Sequence, residues 1–198
     1  MNAQKQKLVI GISGTLAAGK GVVAEILSKK GCDITTLGAV VRESLNSKNI
    51  ETTRENQQNE GNNLRKEFGG QVLVERALKK VLHNNKILII DGIRNVAEID
   101  YLRNNSKFFL IGVDAPIDKR YERSTKRHRD PNPPDYDKFI ADDARDRGVN
   151  EPLNGQQVGM CLVQADFLIN NDEIFTKLED SKLYKDVNEL YRDILKKK

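Results

Sequence analysis

No apolar run in this chain of 198 residues approaches the roughly 20 residues that a membrane-spanning helix needs, so no membrane partner is expected. Residues 1–7 pass directly into a strand-like segment without the pattern of a secretory leader, and the expected location is the cytoplasm. Cysteine is almost missing. Cys32 and Cys161 stand far apart without metal-type spacing, which excludes a disulfide scaffold or a cysteine-held zinc and leaves both as small buried apolar residues. A dominant charge of one sign is missing too, because 33 Lys and Arg against 29 Asp and Glu leave a net charge of only +4. The Arg-rich stretch 120–129 contains one aromatic, Tyr121, so stacking on nucleic acid has little to work with and no nucleic-acid partner is expected. What is present is 38% hydrophobic residues, enough for a real core and against disorder. A single domain over residues 1–198 is the expectation, with oligomeric state undetermined.

Four apolar runs, residues 8–12, 87–91, 108–114 and 167–169, are bounded by turn formers and read as buried strands, with a weaker fifth at 33–37. Segments such as 22–29 and 72–82 repeat apolar residues at three- and four-residue spacing and read as helices. Strand alternating with helix predicts an α/β fold with a five-stranded parallel sheet covered on both faces. Two segments depart from this rhythm. Residues 46–70 are polar and are expected to form helices standing off the core. Residues 126–150 are dense in Arg and Asp and carry the helix-breaking Asp130-Pro131-Asn132-Pro133-Pro134.

The strongest motif is Gly14-Thr15-Leu16-Ala17-Ala18-Gly19-Lys20, directly after the first strand and directly before the helix that starts near Gly21. This is the Gly-x-x-x-x-Gly-Lys part of a P-loop in its strand–loop–helix setting. Glycines allow the chain to curl so that successive N–H groups surround a polyphosphate, the helix N-terminus adds positive potential, and the lysine reaches the outer phosphates. Nucleotide binding through residues 14–20, with Gly21 and Val22 completing the turn, is therefore expected, with ATP and Mg²⁺ as the cofactor pair. One departure stands out. Gly21 occupies the place of the Ser or Thr whose hydroxyl ligates Mg²⁺, so the metal must rely on water and other side chains.

Three further motifs resemble the P-loop nucleoside monophosphate kinases of the adenylate kinase type. Leu37-Gly38-Ala39-Val40-Val41-Arg42 is similar to that family's Thr-Gly-Asp-x-x-Arg, with Ala39 in place of the aspartate. The resemblance implies that Gly38 and Arg42 contact the acceptor and its phosphate. Ile90-Asp91-Gly92-Ile93-Arg94 is similar to Asp-Gly-x-Pro-Arg. This likeness implies that Asp91 organises Mg²⁺ through water and that Arg94 grips the acceptor phosphate. Independently, Asp91 ends an apolar strand at the carboxyl edge where ligands of parallel sheets bind, although a helix N-cap is the plain alternative. For Arg94 that alternative is a surface salt bridge. Val113-Asp114-Ala115-Pro116 followed by Arg123 and Arg127 is also similar to the family, in which such arginines face ATP and the lid; their i, i+4 spacing places them on one helical face.

Arg145 and Arg147 are expected on the substrate side, approaching from the lid. Arg120, Lys126 and Arg129 read as solvated, and His83 and His128 as chemically idle. Residues 165–172, Ala-Asp-Phe-Leu-Ile-Asn-Asn-Asp, look like the ending of dephospho-CoA kinases, which implies Asn170 and Asn171 near the ATP base, with turn formation as the alternative. Together these readings predict a P-loop fold with an acceptor-binding insert at 38–70 and a lid at 126–150. The expected activity transfers the ATP γ-phosphoryl group to a small-molecule acceptor, first a (deoxy)nucleoside monophosphate. Lys20, Asp91, Arg94, Arg123 and Arg127 would be catalytic. The alternatives are a dephospho-CoA kinase and a non-catalytic nucleotide-binding regulator.

Overall fold

The computed structural model describes residues 7–81, 86–126, 135–173, 175 and 177–197. Five strands, β1 (Leu8–Gly14), β2 (Asp33–Thr36), β3 (Ile87–Ile93), β4 (Lys107–Asp114) and β5 (Phe167–Asn170), form one sheet in the order β2-β3-β1-β4-β5. Every pairing is parallel. The α/β class and the five parallel strands are those the apolar runs predict, and each of the four strong runs extends by one or two residues beyond its apolar stretch.

Alternation along β1 explains how one strand feeds two cores. Leu8, Ile10 and Ile12 point to the face covered by α1 (Lys20–Ser28) and α9 (Lys182–Lys196), against Val23, Leu27, Val187 and Ile194. Val9, with Leu88, Ile90 and Leu110 of its neighbours, points to the face covered by α2 (Leu37–Ser47), α4 (Val72–Lys80) and α5 (Val96–Asn105). No side chain is possible at Gly11 on that second face, since a Cβ there would stand 2.4 Å from Ile93 Cδ1.

The polar segment after residue 46 does not stand off the core. Its helix α3 (Arg54–Phe68) packs against α2 and α4, and Gln58, Glu60, Gly61, Leu64 and Arg65 are buried. The polarity of α3 misleads because its inward face is polar: Glu60 accepts from Ser44 and Lys48. The remaining described helices are α6 (Ile117–Lys126), α7 (Tyr136–Arg147) and α8 (Val158–Val163). α7 begins at its cap Asp135, buries Phe139, Asp143 and Asp146, and ends on the left-handed Gly148. Among the described residues, no helix is long and apolar enough to cross a membrane. Arg127, Arg129, His83, His128 and the proline-rich turn at 130–134 lie outside the described residues.

Candidate active site

β1 is the central strand, so its carboxyl end opens in the middle of the sheet edge, where doubly covered parallel sheets bind ligands. The loop that follows is built for close approach. Gly19 has φ 108°, a left-handed conformation, and a Cβ there would lie 2.4 Å from Asn171 Nδ2, which donates to Ala18 O at 2.8 Å. Ala17 also takes a left-handed turn, at φ 59°. α1 starts directly at Lys20, so the positive end of its dipole meets the loop. The Leu16 N–H donates to Asp143 Oδ1 at 3.3 Å, so a loop amide already holds an anionic oxygen. These residues fit a polyphosphate.

The Lys20 ammonium folds back and donates to Gly14 O and Thr15 O, both at 2.8 Å. Its pKa is held down to about 8 against an ordinary value of 10.5, first by burial and then by Arg94, with Asp91 and Asp146 pulling the other way. Asp91 lies inside β3 and is no helix cap; the caps on this edge are Thr36 for α2 and Asn95, with a capping box, for α5. Gly21 offers no hydroxyl to a metal, and the Thr15 hydroxyl donates to Asp114 Oδ1 at 2.6 Å. Among the described residues no cluster of three metal-binding side chains occurs. An ion there would have to be carried in by phosphate oxygens and held through water, with Asp91 near the carboxyl end of β3 as a carboxylate available to it.

Next to this loop a narrow cleft opens between α2, α3 and β3, lined by Gly38, Arg54, Gln58, Arg65 and Arg94 among others. Arg94 is not on a surface salt bridge. It donates to both carboxylate oxygens of the buried Asp146, at 3.2 and 3.3 Å, and to Gln156 Oε1 at 2.7 Å. Arg54 also pairs with Asp146, and Gln58 Nε2 donates to it at 2.8 Å. Burial alone would push the Asp146 carboxyl up; Arg94, Arg54 and the Gln58 bond outweigh it and hold the group below its usual range.

The other expected residues divide. Gly38 lines the cleft from the first turn of α2, whereas Arg42 is exposed and outside the lining set. Arg145 joins α7 to Glu151, Gln58 and Asn59 at the cleft's rim. Arg147 turns away from the cleft, to Asp143 and Asp114 beside the loop. Arg123 donates to Asn171 O at 2.8 Å and Glu173 O at 2.9 Å, next to the loop. Asn171 is buried against the loop through Ala18, while Asn170 is exposed at the end of β5.

One reading is overturned outright. Arg120, expected in solvent, is 2% exposed. It forms a two-point pair with Asp143 at 2.5 and 3.0 Å and donates to Ala115 O and Leu16 O, which ties α6 and α7 to the phosphate loop. Its partner lies 23 residues away in sequence, so nothing local announces it. Sequence reasoning also missed Arg54, Gln58, Arg65 and Asp146. A signal existed for the first three: with Gly61 they recur at i, i+4, i+7 and i+11, one face of a helix with almost no apolar residues to bury.

A family model described as an AAA domain matches residues 10–145. A UPF0200 protein of Methanocaldococcus jannaschii is 33% identical over 171 residues, 85% of this chain and 83% of that protein. One of Pyrococcus abyssi is 28% identical over 194 residues, covering 95% and 97%. Among solved structures, TT1252 from Thermus thermophilus aligns with a TM-score of 0.60 at 15% identity over 98% of both chains. A shikimate kinase from Bacteroides thetaiotaomicron aligns with a TM-score of 0.57 at 16% identity over 96% of this chain and 98% of that one. At such identities the likeness shows the fold, which is that of the P-loop kinases.

Proposed function

This chain belongs to the AAA domain family and to the UPF0200 proteins, and we propose that it is an ATP-dependent phosphotransferase acting on a small (deoxy)nucleoside monophosphate. One observation carries the reading: Lys20 starts α1 directly at the phosphate loop, and Arg54 and Arg94 line a cleft at the same sheet edge. Phosphoryl transfer asks little covalent chemistry of a protein; it asks for alignment and for neutralised charge.

In this reading residues 14–20 hold the triphosphate, with Gly21 and Val22 completing the turn. Lys20 neutralises the outer phosphates and Arg123 supports the donor side. Mg²⁺, bound with the nucleotide, supplies further charge neutralisation. Arg94 and Arg54 hold the acceptor phosphate, one of whose oxygens bonds to the γ-phosphorus as the bond to the β–γ bridging oxygen breaks and ADP leaves with that electron pair. Arg42 and Arg145 meet the acceptor only at the rim, and Arg147 serves the donor side beside Asp114. Residues 38–70 form the acceptor side and residues 126–150 the lid. The two guanidiniums meant for the acceptor hold Asp146 of α7 in this conformation, so α7 must shift for the acceptor to enter and then exclude water on closing.

ADP release measured against a panel of monophosphates, dephospho-CoA and hydroxylated acids tests this. Turnover with a monophosphate that Lys20→Ala abolishes is the expected result. Turnover with dephospho-CoA alone, or stable ATP binding with no turnover on any acceptor, would overturn it in favour of a dephospho-CoA kinase or a nucleotide-binding regulator.

A further inference from the structure

Arg65 has no place in the chemistry above, yet it lines the same cleft. Its side chain is 2% exposed, and its Nε and Nη2 both pair with Glu98 Oε1, at 3.0 and 2.9 Å. Glu98 is itself completely buried, and its other oxygen accepts from the Arg94 and Asn95 amides at 2.8 and 3.1 Å. The remaining nitrogen, Nη1, has no hydrogen-bond partner. A buried guanidinium nitrogen left unpaired is uncommon and calls for an explanation. Gly61 faces it without a side chain, and a Cβ there would lie 3.5 Å from Nη1, in ordinary contact.

We infer that Arg65 Nη1 reads a ring carbonyl of the acceptor, so that the cleft selects nucleoside monophosphates with an oxo-bearing base (6-oxopurine or 4-oxopyrimidine) over those with an amino group at that position. The inference rests on the monophosphate reading above and names the substrate class of that site. Three features of the cleft support it. Glu98 already balances the charge of Arg65, so what Nη1 offers is a directed donor suited to a neutral oxygen rather than a seat for a second anion. The anionic end is provided for elsewhere, at Arg54, three turns away at the start of α3, and at the Arg94 guanidinium just past β3, both on Asp146. The lining also includes the buried apolar side chains of Leu37, Val41 and Leu73, which suit a flat ring. An amino substituent would set N–H against N–H at Nη1, since guanidinium nitrogens only donate.

Isothermal titration of the full chain, with a non-hydrolysable ATP analogue present, would compare matched pairs: IMP with AMP, and UMP with CMP. The expected result is at least about tenfold tighter binding of the oxo member in each pair. Gly61→Ala sets a methyl against Nη1 at ordinary contact distance within a helix, so the fold is kept and the preference is expected to vanish. Arg65→Lys keeps a cation for Glu98 but removes the planar donor, with the same expected loss. Equal binding within the pairs, tighter binding of the amino members, or a preference untouched by both variants would overturn the inference while leaving the monophosphate reading intact. Binding of no monophosphate by a protein that still binds the ATP analogue would overturn both.

Discussion

Replacing Asp146 by Asn pulls stability and ligand affinity in opposite directions. The carboxylate is 3% exposed and shared by Arg54, Arg94 and Gln58. Removing one partner of a fully buried ion pair costs about 3–5 kcal/mol, but both arginines keep close to a third of their side-chain surface in water and can turn toward it. The cost is therefore placed at about 2–3 kcal/mol, a fall in Tm of about 4–12 °C for a chain of this size. The pH dependence has a fixed sign. A carboxyl held below its unfolded value contributes stability above about pH 4, lost as pH falls through the folded value. The variant thus loses stability near pH 7 and converges with the parent in acid. Ligand affinity moves the other way. With no carboxylate competing for Arg54 and Arg94, inorganic phosphate and monophosphates bind several-fold more tightly. Urea melts at pH 7 and at about pH 2, paired with phosphate titrations, measure both. A variant as stable as the parent, or one with weaker phosphate binding, would refute the assignment of these arginines to an acceptor anion.

Three further outcomes follow from the same geometry. Because the Lys20 pKa of about 8 must rise beside a polyphosphate, ATP binding takes up a proton above that pH; affinity is level below pH 8 and falls by up to about tenfold per unit above it, checked by calorimetry in buffers of different ionisation enthalpy. Arg120→Met leaves Asp143 buried with only the Leu16 amide and the partly exposed Arg147 and lowers stability by about 3 kcal/mol in denaturant melts, most of which the added Asp143→Leu change restores. Gly19→Ala forces a left-handed alanine onto Asn171 and costs about 1–3 kcal/mol by thermal melt, with ATP affinity lowered at least about tenfold in equilibrium titration.

How much of this was legible in sequence depended on whether the information was local. The strands were readable because a doubly covered parallel strand must be apolar at nearly every position, as in Leu-Val-Ile-Gly-Ile and Ile-Leu-Ile-Ile. The phosphate loop was readable because its spacing is a local backbone requirement. Arg94 was singled out by its place after β3, but its buried partner Asp146 lies 52 residues on and could not be paired with it from sequence. Arg120 failed for the same reason: an arginine among charged neighbours looks solvated until Asp143 is brought beneath it. Helix α3 failed for another. Amphipathic reasoning assumes that the buried face is the apolar one, and here Arg54, Gln58 and Arg65 face a cleft.

The claim beneath all of these assignments is that the loop between β1 and α1 wraps the phosphates of a nucleotide in main-chain amides. Titration of ¹⁵N-labelled protein with Mg²⁺-ATP, read at the backbone amides, tests it directly. The account predicts that the largest shifts fall on residues 14–21 and are lost in Lys20→Ala. Shifts confined to other parts of the molecule, or unchanged amides at 14–21 under saturating nucleotide, would contradict it.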